Sequence, residues 1–129
     1  MVNWRKWILD NLVASTDLTD LIPADRIYGG GSVASAKSEK PFIVITLSDE
    51  VPTVADAVQF VGSIWIHDEP GDYGLIGDCL KLVRDALPYQ VTETGGLVCS
   101  WLGNSGDLAN DLYKTITRNA QFNLLGREI

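Results

Sequence analysis

The chain predicts an α+β fold: an antiparallel or mixed β-sheet with two main helices packed on one face. Three stretches carry that prediction. Residues 72–87 place Tyr73, Ile76, Cys79, Leu80, Val83, Ala86 and Leu87 at spacings of three, four and seven, the stripe of an amphipathic helix. Residues 42–48 are apolar at almost every position, as a strand covered on both faces must be. Residues 111–124 alternate instead: Leu112, Ile116, Ala120, Phe122 and Leu124 are apolar, while Tyr113, Thr115, Thr117, Asn119, Gln121 and Asn123 between them are nearly all polar. Period two marks a half-buried strand with one wet face.

The remaining elements fall between these. Residues 3–15 predict a helix capped by Asn3, with Trp4, Trp7, Ile8 and Leu12 on one side and Arg5, Lys6, Asp10 and Asn11 on the other. Thr16 and Asp17 look like a second cap, opening a short helical turn through Leu18 and Leu21 that ends before Pro23. Residues 26–28 are a short strand candidate. Residues 57–67 predict a longer strand, with Val58, Phe60, Ile64 and Ile66 on one face and Gln59, Val61, Ser63 and Trp65 on the other. Gly62 within it suggests a bulge or bend. Pro88 stops the second main helix, and residues 89–92 and 97–102 predict a hairpin across Gly95 and Gly96. The order helix, three strands, helix, three strands suits helices on one face of an antiparallel sheet.

At 129 residues the chain is the size of one domain, 1–129, and 46% hydrophobic with 21% charged residues is ordinary for a folded protein. No apolar run approaches the roughly 20 residues of a membrane helix. Arg5, Lys6 and Asp10 interrupt the N-terminal apolar residues, so no signal peptide is expected and the cytosol is the default location. Cys79 and Cys99 are expected as small core hydrophobes rather than a redox pair.

The charge is unevenly spread. Residues 41–80 carry seven carboxylates (Asp49, Glu50, Asp56, Asp68, Glu69, Asp72 and Asp78) and no Lys or Arg, whereas the segments on either side each balance five acids with five bases. The whole net charge of −7 resides in that block. A face this acidic argues against a general nucleic-acid binder, which needs Lys and Arg to neutralise phosphates.

Catalytic patterns are scarce. His67 is the only histidine; Asp68 and Glu69 follow it, but consecutive strand residues point apart, and the expected setting is a solvated turn. A metal would need ligands converging from elsewhere. Gly29-Gly30-Gly31-Ser32 lacks the lysine of a phosphate loop, and Ser32, Ser35 and Ser38 have no neighbouring base. The carboxylates of residues 49–72 could act as an acid–base pair, but Pro52, Thr53, Pro70 and Gly71 beside them describe exposed turns. No cofactor, metal or catalytic residue is expected.

Interaction surfaces are the better prospect. Residues 29–40 are the one low-complexity stretch: three glycines, then small polar residues and Lys37 and Lys40. Such a flexible loop is either a loose hairpin or a segment that orders on a partner. Lys114 and Arg118 stand among the apolar positions of the last strand, where each must reach water or a carboxylate. Trp4 and Trp7 are either core or interface anchors.

In combination these features resemble the tail terminator (tail completion) proteins of long-tailed bacteriophages. The residues that carry the resemblance begin with Asp17-Leu18-Thr19-Asp20-Leu21-Ile22-Pro23 after an N-terminal helix, then Arg26-Ile27-Tyr28 and the glycine-rich gap. Pro41-Phe42-Ile43-Val44-Ile45, Ile64-Trp65-Ile66-His67-Asp68, the helix opening Gly71-Asp72-Tyr73 and a closing strand follow, so almost the whole chain is covered. The resemblance implies a non-enzymatic subunit of a ring, usually a homohexamer, at the head-proximal end of the tail tube in the virion, assembled in the host cytoplasm. It implies as partners the chain itself, the tail tube protein and the head–tail connector, with DNA passing through without specific binding and no membrane contact. Gly29, Gly30, Gly31, Lys37, Lys40, Lys114 and Arg118 are then candidates for the subunit or tube interface. Asp49, Glu50, Asp56, Asp68, Glu69 and Asp72 are candidates for an acidic channel lining or surface patch, which would repel phosphates rather than hold them. The alternatives are a head–tail stopper or neck protein, a monomeric binding module, and a small cytosolic enzyme using the carboxylates of 49–72.

Overall fold

A computed structural model describes residues 2–29, 40–53, 57–71, 73–92, 94–110 and 115–127. The fold is α+β, with a mixed seven-stranded sheet and three α-helices among the described residues. The first helix, α1 (Trp4–Ala14), is capped by the Asn3 side chain, which accepts from the Lys6 amide. The second, α2 (Thr16–Leu21), starts one residue earlier than the sequence suggested, because Ser15 rather than Thr16 is its cap and accepts from the Leu18 amide. A 3-10 turn (Ala24–Arg26) leads into β1 (Ile27–Tyr28). Then follow β2 (Phe42–Leu47), β3 (Val51–Pro52), β4 (Ala57–Asp68), α3 (Tyr73–Ala86), β5 (Gly96–Asn104), β6 (Leu108–Asn110) and β7 (Thr115–Arg127).

The strands are ordered β1-β2-β4-β7-β5, with β3 added beside β4 and β6 beside β7. The long central pair is β4 and β7, antiparallel in unbroken register from Ala57↔Arg127 to Asp68↔Ile116. Every other pairing is antiparallel except β1 with β2, which is parallel. The hairpin expected over residues 89–102 is only partly formed. Residues 89–92 make a single bridge, Gln90↔Val98, and the hydrogen bonds Cys99 N–H to Tyr89 O and Val91 N–H to Leu97 O, without becoming a strand.

All three helices lie on one face of the sheet. Trp4, Trp7, Ile8 and Leu12 of α1, Leu18 of α2, and Ile76, Cys79, Leu80 and Val83 of α3 join Ile43, Ile45, Ile64, Ile66, Ala120, Phe122 and Leu124 in one core. The two tryptophans are therefore core residues; their rings meet edge to face at 5.4 Å. Tyr73, placed on the apolar stripe by its spacing, is about half exposed at the first residue of α3. Cys79 and Cys99 are buried as thiols, and burial pushes Cys99 up to about 12. Among the described residues no helix is long and apolar enough to cross a membrane.

Gly62 is not a bulge. The β4–β7 register runs through it as Gly62↔Phe122, and a Cβ there would lie 3.0 Å from Leu124 Cδ1 and 3.4 Å from Ile8 Cδ1. Without a side chain there, the methyl ends of Leu124 on β7 and Ile8 on α1 close over that point of the sheet.

Candidate functional site

The face of the sheet away from the helices is less wet than alternation implied. Phe42 and Val44 are buried there, with Tyr28 and Trp65 packed against them as a second, smaller apolar cluster. That cluster explains why β2 is apolar on both faces although it stands second from the edge. Along β7 the polar residues Thr115, Thr117 and Asn119 are buried too, while Gln121 is exposed. Thr117 Oγ1, Asn119 Oδ1 and Asn123 Oδ1 have no hydrogen-bond partner among the described residues.

His67 belongs to this face, not to a solvated turn. It is 4% exposed, stacks on Phe42 with the ring planes 6° apart and centroids at 4.5 Å, and places Nδ1 2.9 Å from Thr115 Oγ1. Its cross-strand neighbours are Phe42 and Thr117. Burial disfavours the imidazolium and lowers the His67 pKa to about 4, so the ring is neutral at pH 7. Asp68 is likewise buried, where an exposed turn was expected; its Oδ1 accepts from the Glu69 amide at 2.7 Å.

The buried imidazole also links stability to pH. Between about pH 6.5 and pH 4 the unfolded chain protonates at His67 while the folded chain does not, so stability is full above that window and falls as pH drops through it. The loss is on the order of 2 kcal/mol after allowance for partial solvent screening. Urea midpoints at pH 7 and pH 4.5 should converge in His67→Gln relative to the parent chain. An unchanged pH slope would assign the effect to other groups.

The two ends of the glycine-rich stretch are firmly held. Arg5 Nη1 of α1 donates to the Gly29 carbonyl and to the Ile45 carbonyl. Arg26 Nη1 donates to the Lys40 carbonyl at 3.1 Å, and Lys40 Nζ sits 3.5 Å from Glu69 Oε1. One interface candidate, Lys40, is therefore paired with one acidic candidate, Glu69. Residues 30–39, on which the readings of a loose hairpin or a partner-ordered segment fall, lie outside the described residues; the strands on either side, β1 and β2, pair in parallel.

The other candidates are dispersed. Arg118 lies half-buried on the helix side of β7, donates from Nε to the Ser105 carbonyl at 3.0 Å and lies 3.8 Å from Asp107, so it finds its carboxylate within the chain. Asp49 and Glu50 are exposed in the turn between β2 and β3, level with the start of β4. Asp68 and Glu69 lie at the other end of β4, roughly 25 Å along the strand at ~3.3 Å per residue. Asp49 and Glu50 thus stand apart from Asp68 and Glu69, although one stretch of sequence carries all four. Gly30, Gly31, Lys37, Asp56, Asp72 and Lys114 lie outside the described residues. Among the described residues no three His, Cys, Asp or Glu side chains converge on a metal position.

One feature escaped the sequence. The guanidinium of Arg84 on α3 lies 3.9 Å over the ring of Trp101 on β5, at an open cleft of about 340 Å³ whose rim includes Tyr89 and whose floor includes Cys99 and Phe122. Arg84 and Trp101 are 17 residues apart, so spacing alone does not signal the contact. No protein-family model matches the chain, and no curated protein matches it.

Proposed function

We propose that the chain is a structural subunit of a long-tailed phage, a tail terminator that assembles as a ring on the head-proximal end of the tail tube. There it ends tube growth and offers the head connector a surface. The observation that carries this reading is the element order: Asp17–Pro23 closes α2, Arg26–Tyr28 leads into β1, Pro41–Ile45 opens β2, Ile64–Asp68 ends β4 and Tyr73 opens α3, so the stretches that carry the resemblance fall on successive elements of the fold. Residues 29–40, three glycines followed by small polar residues, have the composition of an arm laid on a neighbouring subunit or the tube. Both ends are anchored, Gly29 by Arg5 and Lys40 by Arg26 and Glu69.

The test is phage assembly without this chain, imaged by negative stain. Overlong tubes are expected; tails of normal length that fail to join heads would assign a stopper or neck role instead. In the same assay, replacing residues 30–39 by a six-residue glycine–serine linker, which still spans ~20 Å, should leave the monomer's melting temperature within about 3 °C. It should abolish complementation, and normal tails from that variant would remove the arm from the mechanism.

A further inference from the structure

The Arg84–Trp101 cleft is the most developed feature the proposed ring leaves unexplained. Trp101 is 39% exposed and Tyr89 63% exposed, and beside them stands a guanidinium that makes no ion pair among the described residues. Lys81, also exposed, precedes Arg84 by three residues and so adds a second positive charge on that side of α3. Aromatic faces with an unpaired cation in the rim of a cleft are the chemistry of a protein-docking anchor, and the cation selects a carboxylate.

The neighbouring edge of β5 does not invite simple strand addition. Its register breaks between Trp101 and Gly103, and Gly103 sits at φ +145, a conformation that twists the edge away from a flat ladder. Recognition at this edge therefore falls to the side chains of the cleft.

We infer that this cleft receives the β2–β3 turn of a second copy of the chain, with Asp49 and Glu50 on Arg84 and the exposed Val51 against Tyr89 and Trp101. The inference rests on the ring reading. Two observations select that occupant. Asp49-Glu50 is the only pair of adjacent exposed carboxylates among the described residues, and an exposed apolar Val51 follows it at once. In addition, the turn cannot reach its own cleft: β3 and β5 are separated by β4 and β7, three strand spacings or roughly 14 Å. A donor on one edge and a receptor on the other is the arrangement of a head-to-tail contact, the kind that builds a ring when the rotation between copies closes. It also gives part of the acidic block a use: the uneven charge of the sequence becomes complementarity between neighbouring copies.

The experiment is a charge exchange read by sedimentation velocity on the full chain. Arg84→Glu and the double variant Asp49→Lys/Glu50→Lys should each weaken self-association at least tenfold, with unchanged circular dichroism because all three positions are exposed. The triple variant on one chain should assemble again. So should an equimolar mixture of the two defective proteins, in which every junction regains an opposite-charge pair. Rings that persist in both defective proteins, or a mixture that stays dissociated, overturn the cleft–turn contact and leave the ring reading standing. A parent chain that stays monomeric both in solution and on purified tail tubes overturns both.

Discussion

Truncating Phe122 to alanine should remove about 4 kcal/mol of stability, near the upper end of what one buried side chain contributes. Phe122 is 1% exposed near the middle of β7 and faces the helices. Its partner across β4 is Gly62, which has no side chain, and across β5 is Trp101. The phenyl ring thus fills space that its β4 neighbour leaves open, and alanine would leave that space empty beneath the Arg84–Trp101 cleft, whose floor Phe122 helps to form. A domain of this size has only about 5–15 kcal/mol in total. Urea denaturation gives the direct check: a midpoint falling sharply at unchanged slope. Gln121→Ala, the adjacent exposed position, should move the midpoint by less than ~0.5 kcal/mol equivalent.

Gly126→Val should cost roughly 3 kcal/mol, by overpacking rather than by a cavity. A Cβ at residue 126 would lie 2.9 Å from the Gly95 carbonyl oxygen and 3.3 Å from Trp4 Cζ2. That carbonyl is not free to move, because it accepts the Arg127 amide where β7 ends beside β5. Gly62 differs in what stands over it. There the obstructing atoms are the methyl ends of Leu124 and Ile8, which can rotate aside, so Gly62→Ala should cost only about 1 kcal/mol. Thermal melts of the two variants should rank Gly126→Val well below Gly62→Ala. Equal melting temperatures would show that the C-terminal end of the sheet yields more easily than its hydrogen bonding implies.

Much of the fold is legible in the residues because its signals are local. The stripe of α3, the Asn3 cap, the stop at Pro88 and the alternation of β7 each lie within one element and need no knowledge of the rest. Signals that depend on a neighbour are not legible in this way. The acidic turn after Ser48 hides the short β3, which exists only because Val51 and Pro52 find Gln59 and Val58. The parallel pairing of β1 and β2 cannot be read from two residues. His67 looks solvated in the sequence because the Asp-Glu-Pro-Gly after it is turn sequence. The turn is real, yet it begins one residue later, and His67 stays under Phe42 and beside Thr115.

The functional candidates divide in the same way. Gly29 and Lys40 stand out by composition, but their anchoring by Arg5, Arg26 and Glu69 joins residues from four parts of the chain. Arg118 is legible as a charge in need of a carboxylate, and only the β5–β6 connection reveals Asp107 as that group. The seven carboxylates of residues 41–80 form one block in the sequence, yet Asp49 and Glu50 stand near one end of β4 and Asp68 and Glu69 at the other, because β4 is long enough to hold its ends apart.

By itself, then, the sequence determined the α+β class, the helix boundaries to within a residue or two, the core-facing stripes of α1, α3, β4 and β7 and the location of the net charge. These follow from periodicity and capping, which act over three to seven residues. Only the tertiary structure decided which faces are covered, which charges are paired, and which exposed groups stand together as Arg84, Trp101 and Tyr89 do. Burial and pairing depend on what the rest of the chain places opposite a residue, and strand order, unlike strand existence, leaves no periodic trace in the sequence.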